Sequence, residues 1–287
     1  MDTSNPIFQA IIAPFAVALV VVGASRLIGG RGGSALLAGL GVAGALLLAL
    51  ALLRGVPPFP PNSSPEKLFY LIVLAGALGL ALDLAGRPQA LERLAILAFP
   101  AIGLVWLDLR QLLAGPERAL LIELVLLWLG GAVVLWRLRD AAARNGLTAA
   151  ILVIATAIGV AAVAALAPFM GLALASAAVG AAMGALAIWA YGTLILGGTP
   201  MTIGATALFA AAGGLVVMVQ LLVLFTPAAS KPAAAFLVIV PFSGLVADRL
   251  PLDSGVIGRI LGPILQGAIA AVPVLATIGL AYLLPGD

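Results

Sequence analysis

Glu123 is the side chain of this sequence that is best placed to do chemistry inside a membrane. It interrupts an apolar run that extends over residues 119–135. An ionised group at the centre of a membrane span costs roughly 2.5 to 3.5 kcal/mol to insert, so it requires a partner or a purpose. Arg118 is the nearest cation along the chain. Two interpretations stay open for Glu123: a structural ion pair with Arg118, or a role in proton relay or transport.

A second group of charges lies near the end of the fourth predicted span, where one residue separates Asp108 from Arg110. This spacing puts the two side chains on different faces of a helix, so they are not expected to pair with each other. The connection to the fifth span is only about four residues long, which predicts antiparallel neighbouring helices. One layer near the membrane surface should then hold Asp108, Arg110, Arg118 and Glu123. That layer is either a balanced charge cluster or the mouth of a polar cavity.

Uncharged polar groups and helix breaks complete the candidate transport path. Gln220 and Gln266 lie inside the eighth and tenth predicted spans, where their amides could bind a solute. A proline within a membrane helix frees the carbonyl four residues earlier, and transporters place such broken helices around their substrates. The prolines at the predicted helix breaks are Pro14, Pro100, Pro168, Pro241 and Pro273.

The remaining charges are expected to form solvated pairs at helix ends. Asp83 precedes Arg87 by four residues, and Asp140 follows Arg137 by three and precedes Arg144 by four, spacings that bring side chains together on a helix.

The chain has no Cys and no His, which excludes most other kinds of catalytic and metal-binding site. Without thiolates and imidazoles, the sequence predicts no catalytic residue, no metal site and no cofactor. An intramembrane lipid enzyme is the least favoured class, because Asp248 and Asp253 are a poor substitute for a paired-carboxylate motif. These two acids, with Arg249 and Arg259, could instead close a cytoplasmic gate.

Composition requires that these residues be carried by membrane helices. Of 287 residues, 64% are apolar and 9% are charged, whereas roughly 25% are charged in soluble domains. Lipid must therefore be the solvent for most of the chain. Breaks at Gly, Pro and charged residues divide the sequence into runs of the about 20 residues that cross a bilayer. The ten predicted runs are 7–28, 33–53, 66–86, 93–113, 118–138, 147–167, 170–197, 202–226, 232–248 and 258–284.

The predicted fold is an all-α, polytopic integral membrane bundle of about ten transmembrane helices, because the runs lack the alternation of barrel strands. The ninth run is short, so nine spans plus a re-entrant segment is the alternative. Residues 1–287 form a single transmembrane domain with no soluble domain: a charge-bearing half at 1–144 and an Ala/Gly-rich half at 145–287. Gly180 and Gly184 predict close helix packing, either within the bundle, at a dimer interface or at a sliding surface of a moving transporter domain.

The basic residues predict the orientation of the chain. Nine Lys and Arg residues lie in the connections on one side of the membrane and five on the other. The positive-inside rule then places both termini on the non-cytoplasmic face. The expected location is a bacterial cytoplasmic membrane.

Five prolines give the connection at residues 55–65 an extended and stiff course. Ser64 is predicted to cap the third helix, with Pro65 at the first helical position. The loop is either a spacer or a rigid surface that docks a partner or covers a cavity.

The leading hypothesis is a secondary transporter or channel-like protein for a small solute. The alternative is a non-catalytic membrane subunit or scaffold that binds protein partners. The expected partners are the lipid bilayer, a small-molecule solute, and a second copy or another membrane subunit; scattered basic residues exclude nucleic acid. Ten spans in fewer than 300 residues is a layout similar to that of the drug/metabolite transporter superfamily, built from two five-helix halves. Size and span count alone carry this resemblance, and the predicted termini differ from that superfamily's usual topology.

Overall fold

A computed structural model of the chain describes residues 5–28, 30–197, 201–247, 249 and 256–286, with the backbone alone at 30–34, 256 and 257. All regular elements within these residues are helices, and nine of those helices are long and apolar enough to cross a membrane. The helices are α1 (Phe8–Ile28), α2 (Gly30–Arg54), α3 (Ser64–Leu84), α4 (Gln89–Leu113), α5 (Arg118–Arg144), α6 (Gly146–Leu166), α7 (Met170–Ile195), α8 (Ala205–Phe225), α9 (Lys231–Ala247) and α10 (Val256–Leu283). The predicted all-α membrane bundle is therefore confirmed.

The short helix α9 follows α5 through the bundle. At its start, Lys231 lies 2.9 Å from the carboxylate of Glu123, and near its end the ring of Phe242 lies 6.0 Å from the guanidinium carbon of Arg137. The stretch of α5 between these two contacts is about 20 Å long at 1.5 Å per residue. The described part of α9 thus makes one pass through the bundle with no re-entrant turn, which fits ten crossings.

The connections lie at two ends of the bundle. The proline-loop end holds residues 55–63, 114–117, 167–169 and 226–230, and the opposite end holds residues 85–88, 145 and 201–204. Helices of the two sequence halves interleave, since α1 packs on α7 and α3 on α8.

Helices α3 and α8 cross closely near the opposite end. A Cβ atom at Gly79 would lie only 2.5 Å from the carbonyl oxygen of Ala205, so only glycine allows this approach. Asp83, one turn further along α3, accepts hydrogen bonds from the backbone amides of Ala205 (2.8 Å) and Thr206 (2.9 Å) and from the Thr206 hydroxyl (2.7 Å). The carboxylate thereby satisfies amides at the start of α8 that have no partner within the helix.

This arrangement corrects the expectation of a solvated Asp83–Arg87 pair. The ion pair forms, with 2.7 Å between Arg87 Nε and the carboxylate, but the side chain of Asp83 is only 6% exposed. The helix spacing was sufficient to predict the pair. The burial depends on α8, which approaches Asp83 from more than 120 residues further along the chain.

The Asp140 pairs are confirmed, with oxygen–nitrogen distances of 2.7 Å to Arg137 and 3.2 Å to Arg144. They are not fully solvated, because the side chain of Arg137 is buried.

The small-residue pair packs within the bundle at one of its two positions. A Cβ atom at Gly180 would lie 3.6 Å from the Cβ of Ala157 on α6, whereas one at Gly184 would meet no atom within 4 Å.

The proline-rich connection is held against the start of α3. The hydroxyl of Tyr70 donates to the Pro57 carbonyl at 2.7 Å, and the Tyr70 and Phe59 rings meet edge to face at 5.4 Å. The helix begins at Ser64, so its N-cap is Ser63 and not the predicted Ser64, and Pro65 occupies the second helical position. The carboxylate of Glu66, which accepts from the amides of Asn62 and Ser63, fixes this earlier start.

Candidate functional site

A cavity of about 590 Å³ lies between α5, α8 and α9, and we call it the α5–α8–α9 cavity. It extends from Glu123 and Lys231 at the proline-loop end to Thr156, in the middle of α6. Most of the lining side chains are aliphatic. Two of them, Ile122 and Leu126, are 62% and 64% exposed, so the cavity opens on the outer surface of the bundle along α5.

Small residues on facing helices leave this space open. Gly130 of α5 and Ala234 and Ala235 of α9 line the cavity, where larger side chains would fill it. One residue further, a Cβ atom at Gly131 would lie 2.7 Å from Val216 and 3.2 Å from Pro100. Close packing at Gly131 therefore closes the cavity on the side of α4 and α8, while Gly130 keeps it open toward α9.

An ion pair lies at the entrance of the cavity. Lys231 Nζ lies 2.9 Å from Glu123 Oε1, and the two side chains are 62% and 26% exposed. Ser230 positions the lysine, because its hydroxyl accepts from the Ala233 amide and starts α9 at Lys231. Glu123 thus pairs with Lys231 and not with Arg118, which is exposed.

A buried amide lies on the inner side of the cavity. Gln220 of α8 is 1% exposed and donates from Nε2 to the Pro100 carbonyl at 3.0 Å. This bond fixes the orientation of the amide, and its Oε1 finds no hydrogen-bond donor in the described structure. A buried acceptor without a donor is costly, and this oxygen faces Gly103 of α4.

Asp108 lies apart from the cavity, against α3. The backbone of α4 leaves helical geometry at Asp108 (φ −113°, ψ 21°), and Lys67 of α3 donates to the Trp106 and Leu107 carbonyls at 2.9 and 3.2 Å. The Asp108 side chain is buried, while Arg110 is exposed. The four charges predicted in one layer therefore form no single cluster, because the break in α4 turns Asp108 toward α3 while Glu123 faces α9.

Gln266 lies near the opposite end of the bundle, outside the cavity. It is 7% exposed, and its Oε1 accepts from the Thr148 hydroxyl at 3.0 Å. Gln220 and Gln266 thus belong to two separate polar sites.

Of the predicted helix breaks, Pro100 is the one that touches the cavity region, through Gln220 and Gly131. Pro241 lies in a 3₁₀ segment of α9, and Pro14 and Pro273 lie within α1 and α10. Pro168 lies between α6 and α7 and ends α6 instead of interrupting it.

Two residues of the site were not singled out from the sequence. Lys231 was considered only as one of the basic residues that predict the orientation of the chain. It is nevertheless the first charged residue after the uncharged stretch 145–230, and it lies directly before a predicted span. The sequence gives no indication that Thr156 lines a site, because a threonine in a membrane helix can donate its hydroxyl to the backbone of the same helix. The Thr156 hydroxyl does so, to the Leu152 carbonyl at 2.8 Å.

Within the described residues, no group of three or more acidic side chains could hold a metal ion. Asp248 and Asp253 lie outside the described residues, so the gate hypothesis stays a prediction.

The fold and the cavity define the class of this molecule: a polytopic, multi-pass helical membrane protein. No protein-family model, no curated protein and no solved structure matches the chain.

Proposed function

We propose that the protein is a secondary transporter or channel-like protein for a small amphipathic solute that binds in the α5–α8–α9 cavity. The cavity itself carries the proposal, since it joins an ion pair at one end of the bundle to Thr156 and Gln220 near its middle. Its volume of about 590 Å³ is typical of small-molecule sites. Aliphatic walls suit an apolar body, and the Glu123–Lys231 pair suits a polar group.

Irregular helices around the cavity support a transporter. A π-helical turn at Phe209–Gly213 precedes the part of α8 that lines the cavity, and a 3₁₀ segment at Leu237–Phe242 belongs to the wall formed by α9. Such departures from α-helical geometry are common at functional hinges and in the broken helices of transporters. The two walls therefore contain segments at which the helices can bend.

Exposed apolar side chains favour the second candidate function, a non-catalytic membrane subunit or scaffold. Val56 and Phe59 of the proline-rich loop are 69% and 77% exposed. Tyr70 holds this loop in place, so it presents a preformed apolar surface to a protein partner or a second copy. We propose no catalytic role and no cofactor.

Uptake into proteoliposomes tests the transporter proposal. Two permanently charged aromatic probes, radiolabelled benzenesulfonate and phenyltrimethylammonium, should not cross protein-free membranes at an appreciable rate. We expect saturable uptake of at least one probe. Ala234→Phe, which fills the cavity, should reduce uptake at least tenfold, whereas Ile239→Phe on the outer face of the same helix should leave it unchanged. Absence of uptake of both probes by folded protein would overturn the proposal.

We also propose that both termini face the non-cytoplasmic side of a bacterial cytoplasmic membrane. The chain has no Cys, so single cysteines report orientation without background. Asn62→Cys lies at the proline-loop end and Asn145→Cys at the opposite end, and both positions are exposed. An impermeant maleimide should label position 62 from outside intact cells and position 145 only after the cells are opened. The reverse pattern would invert the topology.

A further inference from the structure

We infer that Arg137 and Gln266, next to Gly244, form a binding site for the carboxylate of a small organic anion. The site lies near the opposite end of the bundle, between α5, α9 and α10. The inference deepens the proposed function by naming a substrate class, but the site itself rests on contacts that do not depend on transport.

Arg137 supplies a buried cation with unused donors. Its side chain is 7% exposed, and Nη1 lies 2.7 Å from Asp140 Oδ2. Its Nε and Nη2 are inaccessible to solvent and have no hydrogen-bond partner anywhere in the described chain. Phe242 packs on the guanidinium at 6.0 Å, which stabilises the cation without using an N–H group. A buried guanidinium with unused donors is costly unless an acceptor binds it.

Gln266 supplies a third unused donor. Thr148 donates to its Oε1 at 3.0 Å, which fixes the orientation of the amide. Its Nε2 is as inaccessible as the arginine nitrogens and likewise lacks an acceptor among the described residues. Gln266 is 7% exposed, so bulk water does not replace the missing partner.

The two residues direct their free nitrogens to one place. The position that a Cβ atom would occupy at Gly244 lies 3.7 Å from Arg137 Nη2, 3.8 Å from Gln266 Nε2 and 3.2 Å from Leu152 Cδ1. Because residue 244 is glycine, α9 places no side chain between the two nitrogens. One carboxylate that bridges the two nitrogens could accept from the arginine fork and from the amide once the Leu152 side chain moves aside, and arginine is better suited than lysine to such an arrangement.

The site lies in line with the α5–α8–α9 cavity. Val134 lines the cavity and precedes Arg137 by three residues, which places both side chains on one face of α5. The 3₁₀ segment Leu237–Phe242 of α9 lies beside both. An aliphatic cavity followed by buried donors fits an anion with an apolar body, which would reach the site when α9 bends.

Calorimetric titration of the purified protein in detergent at neutral pH tests the site. Benzoate is the probe, with benzyl alcohol as the uncharged analogue and inorganic phosphate as the anion without an apolar body. We expect saturable benzoate binding that is at least tenfold tighter than binding of either comparator. Arg137→Gln should weaken benzoate binding at least tenfold, whereas Arg259→Gln, which removes an exposed charge from α10, should not change it.

Two further variants keep the test decisive if Arg137→Gln fails to fold. Gln266→Leu removes one donor without changing charge, and Gly244→Ala places a methyl group between the donors; each should weaken benzoate binding. Absence of benzoate binding to the wild-type protein, equal binding of phosphate, or unchanged binding to both variants would overturn the inference. Uptake of the cationic probe but not of benzenesulfonate would overturn the substrate class while leaving the transporter proposal intact.

Discussion

Some charged side chains in this protein pair across the bundle although a possible partner lies nearby along the chain. Glu123 has a cation five residues away in Arg118, yet it pairs with Lys231 on another helix. Arg118 lies at the first position of α5 and is exposed, so water already solvates its charge. Lys231 extends from the start of α9 toward the half-buried carboxylate, whose solvation is incomplete.

A thermodynamic cycle tests this pairing. Glu123→Gln and Lys231→Gln should each lower the free energy of unfolding, and the double variant should lose no more than the worse single variant. The expected coupling is about 0.5 to 1 kcal/mol, because the pair is partly exposed. Unfolding of the four proteins in mixed detergent micelles gives the coupling, and Arg118→Gln is the matched control. A greater loss of stability for Arg118→Gln than for Lys231→Gln would contradict the assignment.

The sequence reveals which groups need partners but not which partners they find. The cost of inserting a carboxylate was enough to identify Glu123, and the spacing of Asp140 was enough to identify its two arginines. The burial of Asp83 and Arg137 could not be predicted, because it depends on α8, α9 and α10, which approach from more than 100 residues away.

Among the helix contacts, the crossing of α3 and α8 is closely constrained. Gly79 brings the two backbones together, and Asp83 then satisfies the first amides of α8. Because α8 also carries Gln220, this crossing holds one wall of the cavity in place.

Two glycines on α3 give a matched test of this crossing. Gly79→Ala should destabilise the protein by about 1 to 3 kcal/mol, because the new methyl group would overlap the Ala205 backbone, which cannot rotate away. Gly76→Ala places its methyl group at an ordinary 3.6 Å from Ala43 and should be neutral or slightly stabilising. Thermal unfolding in detergent measures both variants. Equal melting temperatures for the two would contradict the close approach.

The lengths of two helices illustrate what hydropathy alone misses. Helix α4 begins at Gln89 and α5 ends at Arg144, beyond the predicted limits of 93 and 138. The extra turns carry charges that would end an apolar run, but Glu92 and Arg139 lie 2.8 Å apart across the two helices. Pairing between neighbouring helices thus allows both to continue past the apolar segment.

At the scale of the whole molecule, polar groups gather in two places along one face of α5. Glu123 meets Lys231 at the proline-loop end, and Arg137 approaches Gln266 toward the opposite end. The α5–α8–α9 cavity extends from the first place toward the second and ends at the level of Val134 and Thr156. The span count was sufficient to predict a bundle, but this continuity requires the packing of α5 against α9.

A solute pathway through the cavity requires that water reach it, and a pair of single-cysteine variants tests this accessibility most directly. Leu127 lines the cavity and is half-buried, whereas Leu129 is 45% exposed on the outer face of α5 at nearly the same depth. A charged methanethiosulfonate reagent reacts with the thiolate, which forms in water and not in hydrocarbon. In proteoliposomes we expect Leu127→Cys to be modified at least tenfold faster than Leu129→Cys, despite its lower exposure. Equal rates, or modification of Leu129→Cys alone, would contradict a solute pathway through this cavity.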